Sequence, residues 1–167
     1  VVLTPEAVRG YMGLPRRGAT ARASSEVGEA VGLVISPRGG GTINIQADAR
    51  PANNPEAPIE IVNFGQLQAD MLFSVETALS YLRKNAVRLG LPPAAMKGQR
   101  LLINISPGDV KKDGPSAGIG FVATIFSSLT GQPLRQDFAM TGQVDDEGKV
   151  YPIGGLKEKL LAAVRLG

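Results

Sequence analysis

The stretch RLLINISPGDVKKDGPSAGIGFVATIFSSLTG, residues 100–131, reads as a strand, a loop and a helix in succession. Residues 100–106 have strand character. Ile119, Val122, Phe126 and Leu129 then recur at helical steps, and Gly131 closes the pattern. The loop between them gathers two lysines, an aspartate, a proline and a serine. Pro115 suits the first position of a helix, where a missing N–H costs nothing, and Asp113 and Gly114 precede it as candidate caps. Ser116 therefore falls in the helix's first turn.

Two readings of Ser116 follow. A serine after a proline is often just a helix-start residue. Alternatively it is a nucleophile: Gly114 and Gly118 leave room for a substrate backbone, and a helix N-terminus offers N–H groups and a positive dipole end to an oxyanion. A serine nucleophile needs a base, and composition restricts the choice, because the chain has no histidine and no cysteine. A Ser-His-Asp triad, a thiol nucleophile, disulfides and thiolate metal sites are excluded. A carboxylate, a lysine, a tyrosine or a terminal amine with a shifted pKa is left, and the best candidate is a lysine kept neutral by burial. The last helix, residues 155–167, supplies two. On a helical wheel Lys159 neighbours Leu156, Ala162, Ala163 and Leu166, and Lys157 neighbours Leu160, Leu161 and Val164. Periodicity leaves both open.

Working outward, residues 30–36 and 42–48 read as strands of a hairpin turned by PRGGG, and residues 50–58 as loop. Leu67, Met71, Val75, Ala78, Leu82, Ala86 and Leu89 form one stripe of a long helix ended by Gly90. DFAMTGQV (137–144) and GKVYPI (148–153) have β-rich character around the turn DDEG and predict a second hairpin. The first 25 residues, rich in proline, glycine, serine and arginine, read as an arm or connector from an upstream domain. No repeat and no glycine-rich phosphate loop followed by Lys-Ser/Thr is present, so no nucleotide site is expected in this chain.

With 167 residues, 43% hydrophobic and 20% charged, the chain suits one folded domain. Its net charge of +3 is scattered rather than gathered, which argues against nucleic acid as a partner. No apolar run approaches the roughly 20 residues that cross a bilayer, and the start lacks a signal-peptide layout, so a soluble, non-secreted protein is expected.

KKDGPSAG, AMTGQV and GKVYPIGGLKEKLLAA, in that order, resemble the proteolytic domain of Lon proteases, and YMGLPRR and ALSYLRKNAVRLG resemble earlier landmarks of that family. The resemblance implies an α+β fold of mixed small sheets with three main helices over residues 26–167. It implies Ser116 as nucleophile and Lys159 as general base. Thr141 is implied as a hydrogen-bond partner of that lysine, Asp113 as a residue shaping the loop, and Gly114 with the Ser116 backbone as the oxyanion loop. No metal belongs to this site; ATP and magnesium are implied only for an upstream AAA+ ATPase. Unfolded or damaged proteins as substrates, a hexameric ring, and a cytoplasmic location with the mitochondrial matrix or peroxisome as alternatives are implied in the same way. So is a further strand and helix after Gly167. A motor-free Lon-like peptidase and a non-proteolytic scaffold module are the competing readings, the latter disfavoured because such modules tend to lose the Ser–Lys pair.

The sequence departs from the family pattern in two places. Gln143 stands where a glutamate commonly follows MTG, and NFGQLQADMLFS carries Phe73 where the family's helix entrance has an acidic residue. The first removes a negative charge near the site and bears on its pKa and loop shape; the second bears on the substrate groove and on ring contacts there.

Overall fold

The computed structural model describes residues 25–37, 39–64, 66–106 and 114–166. The arm read over residues 1–25 lies outside them except for Ser25, and Lys111, Lys112 and Asp113 lie outside them altogether. Among the described residues, nine strands and three helices follow in the order β1 (Ser25–Glu26), β2 (Glu29–Ser36), β3 (Gly39–Pro51), β4 (Glu60–Phe64), α1 (Ala69–Lys84), β5 (Gln99–Ser106), α2 (Gly118–Thr130), β6 (Leu134–Arg135), β7 (Ala139–Met140), β8 (Gln143–Val144), β9 (Val150–Tyr151) and α3 (Leu156–Leu166). Short 3₁₀ turns lie at Pro93–Met96 and Pro115–Ala117. The class is the expected α+β, with mixed sheets and three main helices.

A five-stranded sheet in the order β4-β5-β3-β2-β7 carries the fold. Its central pairs, β2 with β3 and β3 with β5, are antiparallel, and its two edges, β4 and β7, are parallel to their neighbours. Side chains alternate along β3 and β5, so Ile43, Ile45 and Ala47 share the buried face with Leu101, Ile103 and Ile105. Ile45 sits opposite Ile105 and Ala47 opposite Ile103 in the register. α1 lays its stripe on this layer: Leu67, Met71, Val75, Ala78 and Leu82 are buried, and Ala86 and Leu89 pack at the core's margin. Each large apolar side chain removed from water in this way contributes about 1.5–3 kcal/mol.

In α2 the buried face differs from the expected stripe. Phe121, Thr124, Ile125 and Ser127 are buried, whereas Ile119, Val122, Phe126 and Leu129 are half-buried. The helix is apolar almost all round, and such a helix is enclosed rather than amphipathic. Its hydroxyls fasten it to the strands. Ser127 Oγ accepts from the Gly28 N–H at 2.8 Å, and Ser128 Oγ accepts from the Ala49 N–H at 2.7 Å.

Other differences have local causes. The hairpin loop is tighter than PRGGG, because Ser36 already pairs with Gly39 and the glycines run on as strand. α1 ends at Lys84 and continues as turns to Gly90, whose φ of 70° reverses the chain. β4 stands in a segment with no predicted element; it is short and holds its place by pairing with β5, remote in sequence. The predicted second hairpin splits, with β7 joining β2 in the main sheet and only β8 and β9 pairing across the turn.

Candidate active site

The chain leaves β5, passes Gly114 at a φ of 97°, and enters the Pro115–Ala117 turn that leads into α2. Only glycine adopts that dihedral cheaply. Gly114 is the N-cap and no side chain caps the turn, so the Ser116 hydroxyl is not spent on helix capping. It meets an amine instead: Lys159 Nζ lies 3.0 Å from Ser116 Oγ and 3.2 Å from Thr141 Oγ1.

Each partner is delivered by a different element. After Met140 pairs with Gly32 at the edge of the sheet, Thr141 and Gly142 turn inward beside Ser116. The Gly142 N–H donates to the Ser116 carbonyl at 2.7 Å, and the Gly142 carbonyl accepts from the Ile119 N–H at 3.0 Å. Thr141 Oγ1 donates to the same Ser116 carbonyl at 3.2 Å. With its proton committed there, the threonine can offer only a lone pair to Lys159, which draws one amine N–H toward Thr141. When the amine is neutral, this leaves its lone pair to face Ser116.

Lys159 comes from the first turn and a half of α3 and is only 2% exposed, whereas Lys157 is exposed. The structure thus separates the two lysines that periodicity leaves open. The wheel is a poor guide because the larger apolar side chains of α3 face outward: Leu156, Leu160, Leu161 and Val164 are all exposed, and the buried flank holds Ala162. The helix packs against β3 and β2, and β3 passes closest beside Lys159. A Cβ placed on Gly40 would lie 1.9 Å from the Glu158 carbonyl oxygen, so glycine lets the strand pass against the backbone next to Lys159. Sequence reasoning took Gly40 for part of a turn; three successive glycines heading a strand are the signal available for it.

Burial pulls the Lys159 ammonium below its ordinary value, desolvation being the cause, and among the described residues no carboxylate forms an ion pair with it. Gly118, expected to admit a substrate backbone, instead admits the protein's own: a Cβ there would meet the Val144 nitrogen at 3.0 Å and the Gly142 oxygen at 3.2 Å. At Gly114, by contrast, nothing among the described residues lies within 4 Å of such a Cβ. Ser116 itself is half-buried. Among the described residues no group of three or more His, Cys, Asp or Glu side chains gathers as a metal site would require, and no helix is long and apolar enough to cross a membrane.

A serine hydroxyl held against a buried amine, on a chain without imidazole, is the arrangement of a serine–lysine hydrolase. The sequence model described as the Lon protease (S16) C-terminal proteolytic domain matches residues 2–167, and the chain belongs to that family. It is 42% identical over 158 residues to the Lon protease of Salinispora arenicola, covering 94% of this chain and 20% of that protein. To Lon protease 1 of Thermus thermophilus it is 42% identical over 168 residues, with 99% and 20% covered. To Lon protease 1 of Syntrophobacter fumaroxidans it is 40% identical over 166 residues, with 99% and 20% covered. The chain thus spans about a fifth of the length of the curated relatives it matches.

Proposed function

We propose that this domain hydrolyses peptide bonds with Ser116 as nucleophile and Lys159 as general base. The observation that carries the reading is the 3.0 Å contact between Ser116 Oγ and a lysine amine that is almost wholly buried. Neutral Lys159 takes the Ser116 proton as Oγ attacks the scissile carbonyl. Lys159, now an ammonium, returns that proton to the leaving amine, and an acyl-enzyme remains. Lys159 Nζ then takes a proton from water, whose oxygen attacks the ester, and passes it to Ser116 Oγ as the ester bond breaks, which releases the carboxylic acid product and restores the neutral amine. The first N–H groups of a helix have no intrahelical acceptor, so the turn carrying Ser116 supports an oxyanion site beside Gly114.

An extended substrate can lie along the sheet. β7 pairs with β2 only at Val31 and Gly32, and beyond these residues that edge of β2 has no strand partner among the described residues. Strand addition there would lead the substrate's backbone past the end of β7, where Thr141 turns toward Ser116.

From the family membership we further propose that the domain spans residues 26–167 and acts on unfolded or damaged proteins within a larger, ring-forming protein. An upstream AAA+ ATPase would supply ATP and magnesium chemistry to that protein. The relatives named above are bacterial, which supports the bacterial cytoplasm over an organelle. Asp113 retains its implied role in shaping the loop.

The reading is tested by treating the intact protein with a peptide boronate and assaying cleavage of an unfolded protein. Blocked cleavage, a boron adduct on Ser116, and loss of both in Ser116→Ala are expected. A folded wild type that neither cleaves nor forms the adduct would overturn it.

Thr141 tests the orientation of the amine. Thr141→Val keeps the shape but loses the lone pair and the proton, and kcat/KM should fall about tenfold to a hundredfold, with the acid limb of the pH profile displaced. Thr141→Ser should restore most of the rate. Equal profiles for all three proteins would show that the hydroxyl has no such part.

A further inference from the structure

Thr141 and Lys159, the two groups that meet Ser116, flank one small hairpin: Thr141 and Gly142 run into β8, and residues 152–155 carry β9 into α3. The hairpin pairs only Gln143 with Tyr151 and Val144 with Val150. A ribbon this short does not hold its place alone. Its root is fastened on the nucleophile's side of the fold. Val144 is buried, and a Cβ on Gly118 would lie 3.0 Å from its nitrogen. The Val150 side chain packs over Gly142, where an added Cβ would meet Cγ1 at 3.1 Å.

The hairpin's tip is stiff and rests on α1. Asp145 organises the turn: its carboxylate accepts from the Lys149 and Glu147 N–H groups at 2.9 and 3.0 Å and from the Tyr151 hydroxyl at 2.8 Å. Its carbonyl accepts from the Gly148 N–H at 3.1 Å. Two contacts join this turn to the last turn of α1. One is the ion pair of Asp146 with Lys84, which is half-exposed on both sides and contributes little. The other is the Tyr81 ring: a Cβ on Gly148, whose φ is 87°, would lie 2.3 Å from the ring's Cε2 and 3.0 Å from its Cζ. The ring is itself held, packed at the core's margin with its hydroxyl accepting from Arg88 at 3.2 Å.

We propose that Tyr81 is a positioning residue for hydrolysis: it is the seat on which the tip of the β8–β9 hairpin rests, and through that hairpin it holds Thr141 and Lys159 in register with Ser116. The proposal rests on the protease reading above. A stiff turn passes a displacement at its tip to its root. On one side the root is the strand that follows Gly142, whose N–H donates to the Ser116 carbonyl. On the other it is the segment ending at Gly155, whose carbonyl accepts from the Lys159 N–H at 3.0 Å. Among the described residues Tyr81 hydrogen-bonds none of the three groups, so its removal changes how often they stand aligned and not what they are.

The test measures kcat and KM for cleavage of an unfolded protein by the intact protein and its Tyr81→Phe, Tyr81→Ala and Gly148→Ala variants, with active sites counted by titration with the peptide boronate. Tyr81→Ala should lose about tenfold to a hundredfold in kcat per titrated site with KM within about threefold of the wild type, and Tyr81→Phe, which keeps the ring, should stay within about threefold. Gly148→Ala disturbs the same contact from the turn and should show the same split, which keeps the test open if Tyr81→Ala does not fold. The double variant should lose no more than the worse single one, since both act on one contact. Activity lost only as titrated sites, with kcat per site unchanged, is a merely structural effect and overturns the proposal. So does a loss confined to KM, an equal loss in Tyr81→Phe, or losses that multiply in the double variant. A wild type that neither cleaves nor takes the boronate overturns the protease reading and this proposal with it.

Discussion

Replacing Lys159 with methionine is expected to lower peptide hydrolysis by about 10³-fold or more and at the same time to make the domain more stable at mildly acidic pH. The first effect follows from geometry, since among the described residues no other amine hydrogen-bonds Ser116, and Lys157 of the same helix is exposed. The second follows from linkage. The folded-state pKa of Lys159 lies below its ordinary value of 10.5 because burial penalises the ammonium. Between the folded value and 10.5 the unfolded chain binds more protons, so wild-type stability rises with pH across that window. Below the window the wild type bears the whole cost of a buried charge, and above it none. Methionine has similar length and no charge, so its advantage should be largest at low pH and shrink as pH rises. Denaturant titrations of both proteins from pH 6 to 10.5 measure this directly. A stability difference that does not vary with pH would show that position 159 carries the same protonation in both states, and the general-base role would fall with it.

Much of this architecture was legible because it rests on local periodicity. The alternation of Ile43, Ile45 and Ala47, the strand at 100–106 and the stripe from Leu67 to Leu82 all report one buried face. β4 was not legible, because five residues stabilised by a distant parallel partner carry little signal of their own. The inward face of α3 was not legible either. Its large apolar residues point to solvent while a lysine points in, an arrangement that hydrophobic pattern alone reads backwards. The residues proposed to carry the chemistry, Ser116, Thr141 and Lys159, were legible through family resemblance, since nothing in spacing alone distinguishes a nucleophile from a helix-start serine. What resemblance did not single out was the backbone that sets the lysine's environment.

That backbone makes Gly40→Ala the second large effect, at a residue with no functional group. A Cβ at 1.9 Å from the Glu158 carbonyl oxygen and 3.1 Å from the Lys159 nitrogen cannot be accommodated by turning a side chain, because both atoms are main chain. Either β3 retreats or the first turn of α3 moves, and each lengthens the 3.0 Å contact between Lys159 and Ser116. A displacement of about 1 Å at a catalytic group costs on the order of a hundredfold in rate. The strain itself should destabilise the domain by about 1–3 kcal/mol. The loss should fall on kcat/KM and should come with easier protonation of the amine, since the retreating strand admits water to Lys159 and relaxes the desolvation that lowers its pKa. The acid limb of kcat/KM against pH should therefore move to higher pH in Gly40→Ala. A control at Gly41, where the nearest atom to an added Cβ is the end of the Val34 side chain at 3.8 Å, should change neither rate nor profile by more than about twofold. Full activity in Gly40→Ala, or equal losses at Gly40 and Gly41, would show that the close passage of β3 does not set the position or the charge of the lysine.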